Sequence, residues 1–508
     1  MADMKCLRFA LTLAGIAAGV VATAAQPQKK LVAFAWEFSG DTPQKLVKLA
    51  EKLDATPLDG IGIKLRATAE IDGVRTNLHY KYFMHGPAWP KTAFADQIPY
   101  LREATKHKSM KHCFASSFRA PFAYIPWEDD AAWARIAASM RTVAWVAKEG
   151  GLKGLSVDPE DYKKVRQFVR RGDEAPYDEL CKLVRRRARE VFGPVFEEYP
   201  EATVHFFWFM AHVKYYTKCD RADLTRMSRV DEDLWPAFAN GVLDVLPRTA
   251  TIQDGDEEAY SYLAEKNGYR NGAYMFHSLY PQVVAPENLE KYRNQVKYTP
   301  AVYLDMYTNA EGASWYKAPL EGTRLERLRK DVIQATDVSG GTIWFWGEKH
   351  PWIDRGETWN KPDGRILDTT WEEELPGLHF ALEWVKDPVA LFDRTVADLA
   401  AKGNLVNLAA KDSVSVTNGY VTVGMDVKGG EYYGVAFDVK GVSARVNVFF
   451  KDAKGKYVQP SINMIYPDDA RGVVRVPEGG ATGTIVFSAE NKSGEKSVFS
   501  NLRVYRLR

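Results

Sequence analysis

The sequence predicts a (β/α)8 barrel from about residue 28 to 397, followed by an antiparallel β-sandwich from about 402 to 508. Three observations carry this. The chain has 508 residues, too many for one ordinary domain. From residue 31, short apolar runs alternate with helical patterns eight times over. Near residue 400 the helical period stops, and β-branched alternation with turn signals takes its place.

Residues 1–25 read as an export signal peptide. Lys5 and Arg8 precede the apolar "ALTLAGIAAGVV", and "ATAA" supplies small residues for cleavage near Ala25. The polar "QPQKK" behind it favours cleavage over a membrane anchor, and no later run is apolar enough to span a bilayer. The expected product is exported, secreted or periplasmic, with no membrane span.

The eight apolar runs lie at 31–38, 59–66, 112–119, 152–160, 203–211, 250–256, 301–308 and 341–348. Amphipathic stretches separate most of them. In "TRLERLRKDVIQA", Leu325, Leu328, Val332 and Ala335 fall along one helical face. A last helix runs through "EEELPGLHFALEWV". The barrel is longer than the usual ~250 residues. Its surplus lies in loops after strands, at 67–100, 212–230 and 259–290, on the side where such barrels build sites. Beyond "AKGN", segments such as "SVSVTNGYVTVGMDV" and "ARVNVFFKDAKGKYV" show no helical period, as a sandwich requires.

Composition excludes several functions. Lys plus Arg is 68 and Asp plus Glu 66, a net charge of +2, so nothing in the balance favours nucleic acid or an anionic membrane as partner. Arg185, Arg186 and Arg187 read as the solvated side of a helix whose apolar face carries Leu180, Val184 and Ala188. After the signal, Cys113, Cys181 and Cys219 allow at most one disulfide. There is no CxxC or HExxH, so no metal or organic cofactor is expected.

Strand parity then locates a candidate site, since alternate side chains share a face. In "GLSVDPEDY", Leu155 and Val157 point toward the helices, and Gly154, Ser156, Asp158 and Glu160 point into the barrel. Val32, Phe34 and Trp36 are expected outside, with Glu37 inside. Lys64 follows Gly62 inward, and Tyr303, Asp305 and Tyr307 share an inward face, as do Trp344, Trp346 and Glu348. Trp344 and Tyr303 read as core fillers, and Glu37 and Lys64 as either a structural ion pair or substrate contacts. The run Asp254, Asp256, Glu257 and Glu258 reads as a solvated loop. The mouth is thus expected to hold Glu37, Lys64, Asp158, Glu160, Asp305, Tyr307, Trp346 and Glu348. Carboxylates that close raise one another's pKa, and a neutral acid beside an ionised one is what glycosidic cleavage needs. With 14 Trp and 25 Tyr in the chain, many near strand ends, a carbohydrate partner fits.

"GLSVDPEDY" resembles the fourth-strand signature of family 18 glycoside hydrolases, Asp-x-Asp-x-Glu. Glu160 falls on the family's general acid and Asp158 on the Asp beside it, with Ser156 in place of the first Asp. "GGTIWFWGE" is similar to the eighth strand, with Trp344 on the barrel floor. The C-terminal segments resemble carbohydrate-binding-module-like sandwiches, with Tyr432, Tyr433, Tyr457 and Tyr466 as candidate sugar contacts. The resemblance implies a glycoside hydrolase in which Glu160 is the acid/base and Asp158 orients a substrate group, such as a 2-acetamido oxygen acting as internal nucleophile. Two alternatives stay open: a double displacement with Asp305 across the mouth as nucleophile, and a non-catalytic polysaccharide-binding protein.

Overall fold

The computed structural model describes residues 29–119, 121–162, 164–213, 223–320, 322–355, 359–360, 366–367, 369–441, 444–458, 463–465, 470–489 and 494–508. The signal-peptide segment, Cys219 and Tyr466 lie outside these residues.

Nine parallel strands form one curled sheet: β1 Lys30–Ala35, β2 Gly60–Lys64, β3 Phe114–Arg119, β4 Gly154–Asp158, β5 Thr203–Phe206, β6 Thr251–Asp254, β7 Val296–Tyr298, β8 Ala301–Tyr303 and β9 Thr342–Gly347. The order is β8-β9-β1-β2-β3-β4-β5-β6-β7. Helices follow most strands, among them Pro43–Leu53, Asp130–Glu149, Tyr177–Glu198 and Arg324–Val338. The expectation of a solvated arginine face on Tyr177–Glu198 is overturned for Arg187, which is buried and donates to the Trp127 carbonyl. The expected eight strands become nine because the seventh is split. Pro300 has no N–H to give a ladder. The segment before it pairs with β6 and the segment after it with β9. The hydrogen-bonded sheet is therefore open between β7 and β8, two ends that the chain itself joins through Thr299 and Pro300. Thr299 N–H donates to the Asp254 carbonyl (2.9 Å), and Gly340 N–H to that of Tyr298 (2.7 Å), so this segment holds to both neighbours.

Inside the curl, rings from distant strands meet. Phe34 of β1 stacks on His205 of β5 at 4.9 Å and meets Trp344 of β9 edge-on at 5.7 Å. Phe34 thus points inward, opposite to the expected parity. Gly62 on β2 explains it: a Cβ there would lie 2.3 Å from the Phe34 ring. β1 is buried on both faces, so hydrophobicity alone does not mark its inner side. Trp344 is fully buried and its indole N–H donates to the Gly255 carbonyl (2.8 Å), as a barrel floor requires. In this buried interior, desolvation pushes the His205 imidazole down to about 3, with the Gln253 side chain opposing.

The expected loop after β2 contains a hairpin, Arg66–Ile71 paired with Val74–His79, turning on Asp72 and Gly73, both at positive φ. The C-terminal region is two four-stranded antiparallel sheets. One runs 414–416, 497–506, 432–440, 471–475; the other 419–426, 482–489, 444–451, 463–465. Phe437, Phe487 and Phe499 pack between them. Tyr432 and Tyr433 are buried, so neither is the exposed sugar contact expected of it, whereas Tyr457 is exposed. Tyr432 instead packs on Phe380 and Trp384 of helix Leu378–Lys386. Phe392 of the next helix packs on Tyr505. Arg475 reaches Glu326 of the barrel at 3.3 Å, both groups being buried. The sandwich is joined to the barrel by a core of its own. Cys113 and Cys181 are free thiols. Among the described residues, no helix is long and apolar enough to cross a membrane.

Candidate active site

The β4 strand ends in a self-bonded turn. Asp158 Oδ1 accepts the Glu160 N–H (3.1 Å) and Oδ2 accepts the Tyr162 hydroxyl (2.8 Å). This Asx arrangement sets the direction of Glu160. Asp161 accepts the N–H groups of Val165 and Arg166, both at 2.7 Å, and so folds the following loop back.

The end of β6 departs most from expectation. The acidic run there is not a solvated loop: Asp254 and Asp256 are fully buried. Asp254 accepts the N–H groups of Phe209 (3.0 Å) and Ala211 (3.1 Å), which pins the loop after β5. Burial, with the Asp256 charge, pushes the Asp254 carboxyl up to about 7 against those N–H donors. Asp256 is left-handed, φ 38°, and accepts the Tyr298 hydroxyl at 2.8 Å. Gly255 is needed between them, since a Cβ would lie 2.6 Å from the Phe206 carbonyl oxygen. The turn presents Glu257 to the mouth. The Phe207 backbone bridges the two strand ends: its N–H donates to the Val157 carbonyl (3.0 Å), and its carbonyl accepts the Glu257 N–H (3.2 Å). Glu257 Oε2 is shut off from solvent. Burial, then the charges of Glu160 and Asp158, hold the Glu257 carboxyl well above the usual carboxylate range, with the Tyr260 hydroxyl opposing.

An aromatic wall stands beside these acids. Tyr260 lies 5.1 Å from Tyr303 and 6.5 Å from Trp315, and Tyr303 lies 6.0 Å from Trp315, whose ring is 50 % exposed. Burial, Asp305, and Glu348 push the Tyr303 hydroxyl up. Tyr303 is therefore half core filler and half wall.

The remaining predicted residues separate into two groups. Lys64, Trp346, Glu348 and Asp305 come together: the Lys64 ammonium lies 4.6 Å from the Tyr80 ring centre and 5.8 Å from that of Trp346. The Trp346 indole N–H donates to Glu348 (2.9 Å), and the Glu348 N–H donates to Asp305 (2.8 Å). Glu37 and Tyr307 stand apart. Both lie in short 3₁₀ turns, Trp36–Gly40 and Leu304–Tyr307, where strand parity no longer applies. Glu37 is buried beside Arg355 (3.8 Å), not Lys64, and accepts the Trp352 N–H at 2.7 Å. Tyr307 donates to Asp331 (2.9 Å), which also pairs with Lys317 (3.0 Å), all buried against the Arg324–Val338 helix.

Glu257 and Tyr260 are the site residues that strand parity missed. A signal was present: "SVDPEDY" and "IQDGDEEAY" both end an apolar run with spaced acids and a tyrosine. Among the described residues, no group of three His, Cys, Asp or Glu is arranged to hold a metal ion.

No family model and no curated protein matches the chain. Solved structures similar to it include the enzymatically active domain of bacteriophage CBA120 tailspike protein 4. That match has 21 % identity and a TM-score of 0.15, covering 18 % of this chain and 14 % of that one. The catalytic domain of a Pyrococcus furiosus chitinase matches at 14 % identity and TM-score 0.36, covering 71 % and 98 %. A Clostridium thermocellum family 44 endoglucanase matches at 10 % identity and TM-score 0.33, covering 91 % and 97 %. Likenesses this slight do not bear on chemistry, and the resemblance to family 18 stays at the two strand-end motifs.

Proposed function

We propose that the protein is an exported glycoside hydrolase acting on an oligo- or polysaccharide at the C-terminal mouth of the sheet, with Glu160 as an acid/base carboxylate and Asp158 orienting it or the sugar. The supporting observation is the meeting of Asp158, Glu160 and Glu257 from two strand ends beside Tyr260, Tyr303 and Trp315. Like charges gathered in one partly buried site disfavour joint ionisation, which favours a carboxyl that keeps a proton for a leaving oxygen. The ring faces suit the CH faces of a sugar. Lys64, Trp346 and Glu348 line the same mouth as further substrate contacts.

Asp158 ends β4 and Glu160 stands two residues on, its N–H accepted by Asp158, so both carboxylates come from one strand end. They act on neighbouring atoms of one sugar rather than flanking it. The second reacting group comes either from the substrate, as a 2-acetamido oxygen held by Asp158, or from another carboxylate. Asp305 is disfavoured as that carboxylate, because it is buried and takes the Glu348 N–H.

The test is Glu160→Gln, assayed on a panel of aryl glycosides and polysaccharides. The variant is expected to fold as the parent does and to lose roughly 10²–10⁴-fold in turnover, the usual contribution of general acid–base catalysis. Activity within a few-fold of the parent overturns the role of Glu160, and no activity of the parent on any glycoside overturns the enzyme reading and leaves a non-catalytic polysaccharide-binding protein.

A further inference from the structure

The acidic turn after β6 is built with more constraint than a surface loop needs. Asp254 is tied to two N–H groups of the loop after β5. Asp256 is held left-handed by the Tyr298 hydroxyl, and Gly255 is wedged between the Phe206 and Phe207 carbonyls and the Trp344 indole. The product of this constraint is the placement of one side chain, Glu257. Its backbone is separated from that of Val157, one residue before Asp158, by the single bridging residue Phe207. Two strand spacings of about 4.8 Å separate β4 from β6. Side chains converging across that gap reach the carboxyl separations, about 5–9.5 Å, at which glycosidase pairs work.

We propose that Glu257 is the second catalytic carboxylate, the proton donor facing Glu160 across the sugar, and that Asp254, Asp256 and Tyr298 are the positioning residues that fix it. This rests on the glycoside hydrolase reading and supplies from the protein the group otherwise left to a 2-acetamido substituent. As the bond from C1 to the leaving oxygen breaks, the Glu257 proton passes to that oxygen. Water supplies the hydroxyl that C1 gains, and its proton returns to the carboxylate pair through Glu160. Charges and hydroxyls facing Glu257 come from Glu160, Asp158, Tyr260 and Glu258, from Tyr162 past β4, and from Tyr303 on the neighbouring strand. Burial and the two acids at the end of β4 hold the Glu257 carboxyl above the usual carboxylate range, the direction a donor role requires.

The test compares Glu257→Gln with the parent on the phenyl and the 2,4-dinitrophenyl glycoside of whichever sugar the panel identifies. A proton donor matters only when the leaving group is poor. The kcat on the phenyl glycoside is expected to fall roughly 10²–10⁴-fold and that on the dinitrophenyl glycoside by less than about tenfold. Equal losses on both, or no loss on either, overturn the proposal. Glu160→Gln, measured alongside, keeps the two readings apart: its loss of turnover with Glu257→Gln intact defeats Glu257 alone. Tyr298→Phe is expected to lower kcat on the phenyl glycoside several-fold with KM unchanged. A readout that needs no substrate is the melting temperature at pH 8. Glu257→Gln removes an acid crowded by acids and is expected to match or exceed the parent; a fall of several degrees marks Glu257 as structural and overturns the proposal.

Discussion

Two acidic clusters sit at the same end of the sheet and differ in what they are buried against. Past β1, Glu37 and Asp41 surround Arg355, whose guanidinium is itself almost fully buried. Past β4 and β6, the charges acting most strongly on half-buried Glu257 are those of other acids, Glu160 and Asp158. The first cluster ties the loop around Trp352 to the start of the barrel through the Glu37 carboxylate. The second spends stability to keep carboxylates together, which a fold has no structural use for. Burial alone therefore does not mark a site; burial of like charges does. Lys317, Asp331 and Tyr307 repeat the first pattern behind β8, which is why Tyr307 falls out of the mouth.

The largest effect that sharpens this contrast is expected from Arg355→Met. Removing the guanidinium shared by Glu37 and Asp41 leaves buried acids facing one another. It is expected to lower stability by about 3–5 kcal/mol in urea unfolding. A loss under about 1 kcal/mol would show the cluster to be as loosely held as a surface pair.

A smaller, pH-dependent effect is expected from Glu37→Gln. Burial raises the Glu37 carboxyl from 4.5 to about 8, with Arg355 and the Trp352 N–H opposing. A raised acid favours the proton-bound folded state. The parent's advantage is complete below pH 4.5 and is lost as pH climbs toward 8. The melting temperature of the parent relative to Glu37→Gln should accordingly fall between pH 5 and pH 8. A flat difference would mean that Arg355 compensates the ionised acid in full.

The smallest effect is expected at the wall. Trp315 is half exposed, so Trp315→Ala should leave stability within about 0.5 kcal/mol of the parent. Loss of one ring platform, worth roughly 1 kcal/mol, should raise KM about fivefold with kcat unchanged. A fall in kcat with constant KM would place Trp315 at the reacting centre instead.

Much of this was legible in the chain. Each of the eight apolar runs contains a strand of the sheet, and the C-terminal alternation forms two antiparallel sheets. Asp158 followed parity because β4 is regular up to its last residue, whereas Glu160 lies past the strand and is directed by the turn bond to Asp158. Parity failed where the backbone left the strand conformation before the residue in question, as at Glu37 and Tyr307. It failed differently at Phe34, whose side is chosen by the missing side chain of Gly62 on another strand.

By itself, then, the sequence determined where eight of the nine sheet strands lie, that antiparallel sheets follow them, and which strand end carries the first pair of acids. Those are local properties, written in periodicity and in the residues that end each run. The partners of the acids were decided only by tertiary structure. Arg355 reaches Glu37 across 318 positions. Glu257 comes beside Glu160 only because β5 lies between β4 and β6 and the residue just past it, Phe207, bonds to both strand ends. Whether a buried carboxylate meets a guanidinium or another carboxylate depends on which strand ends become neighbours, and no local pattern encodes that.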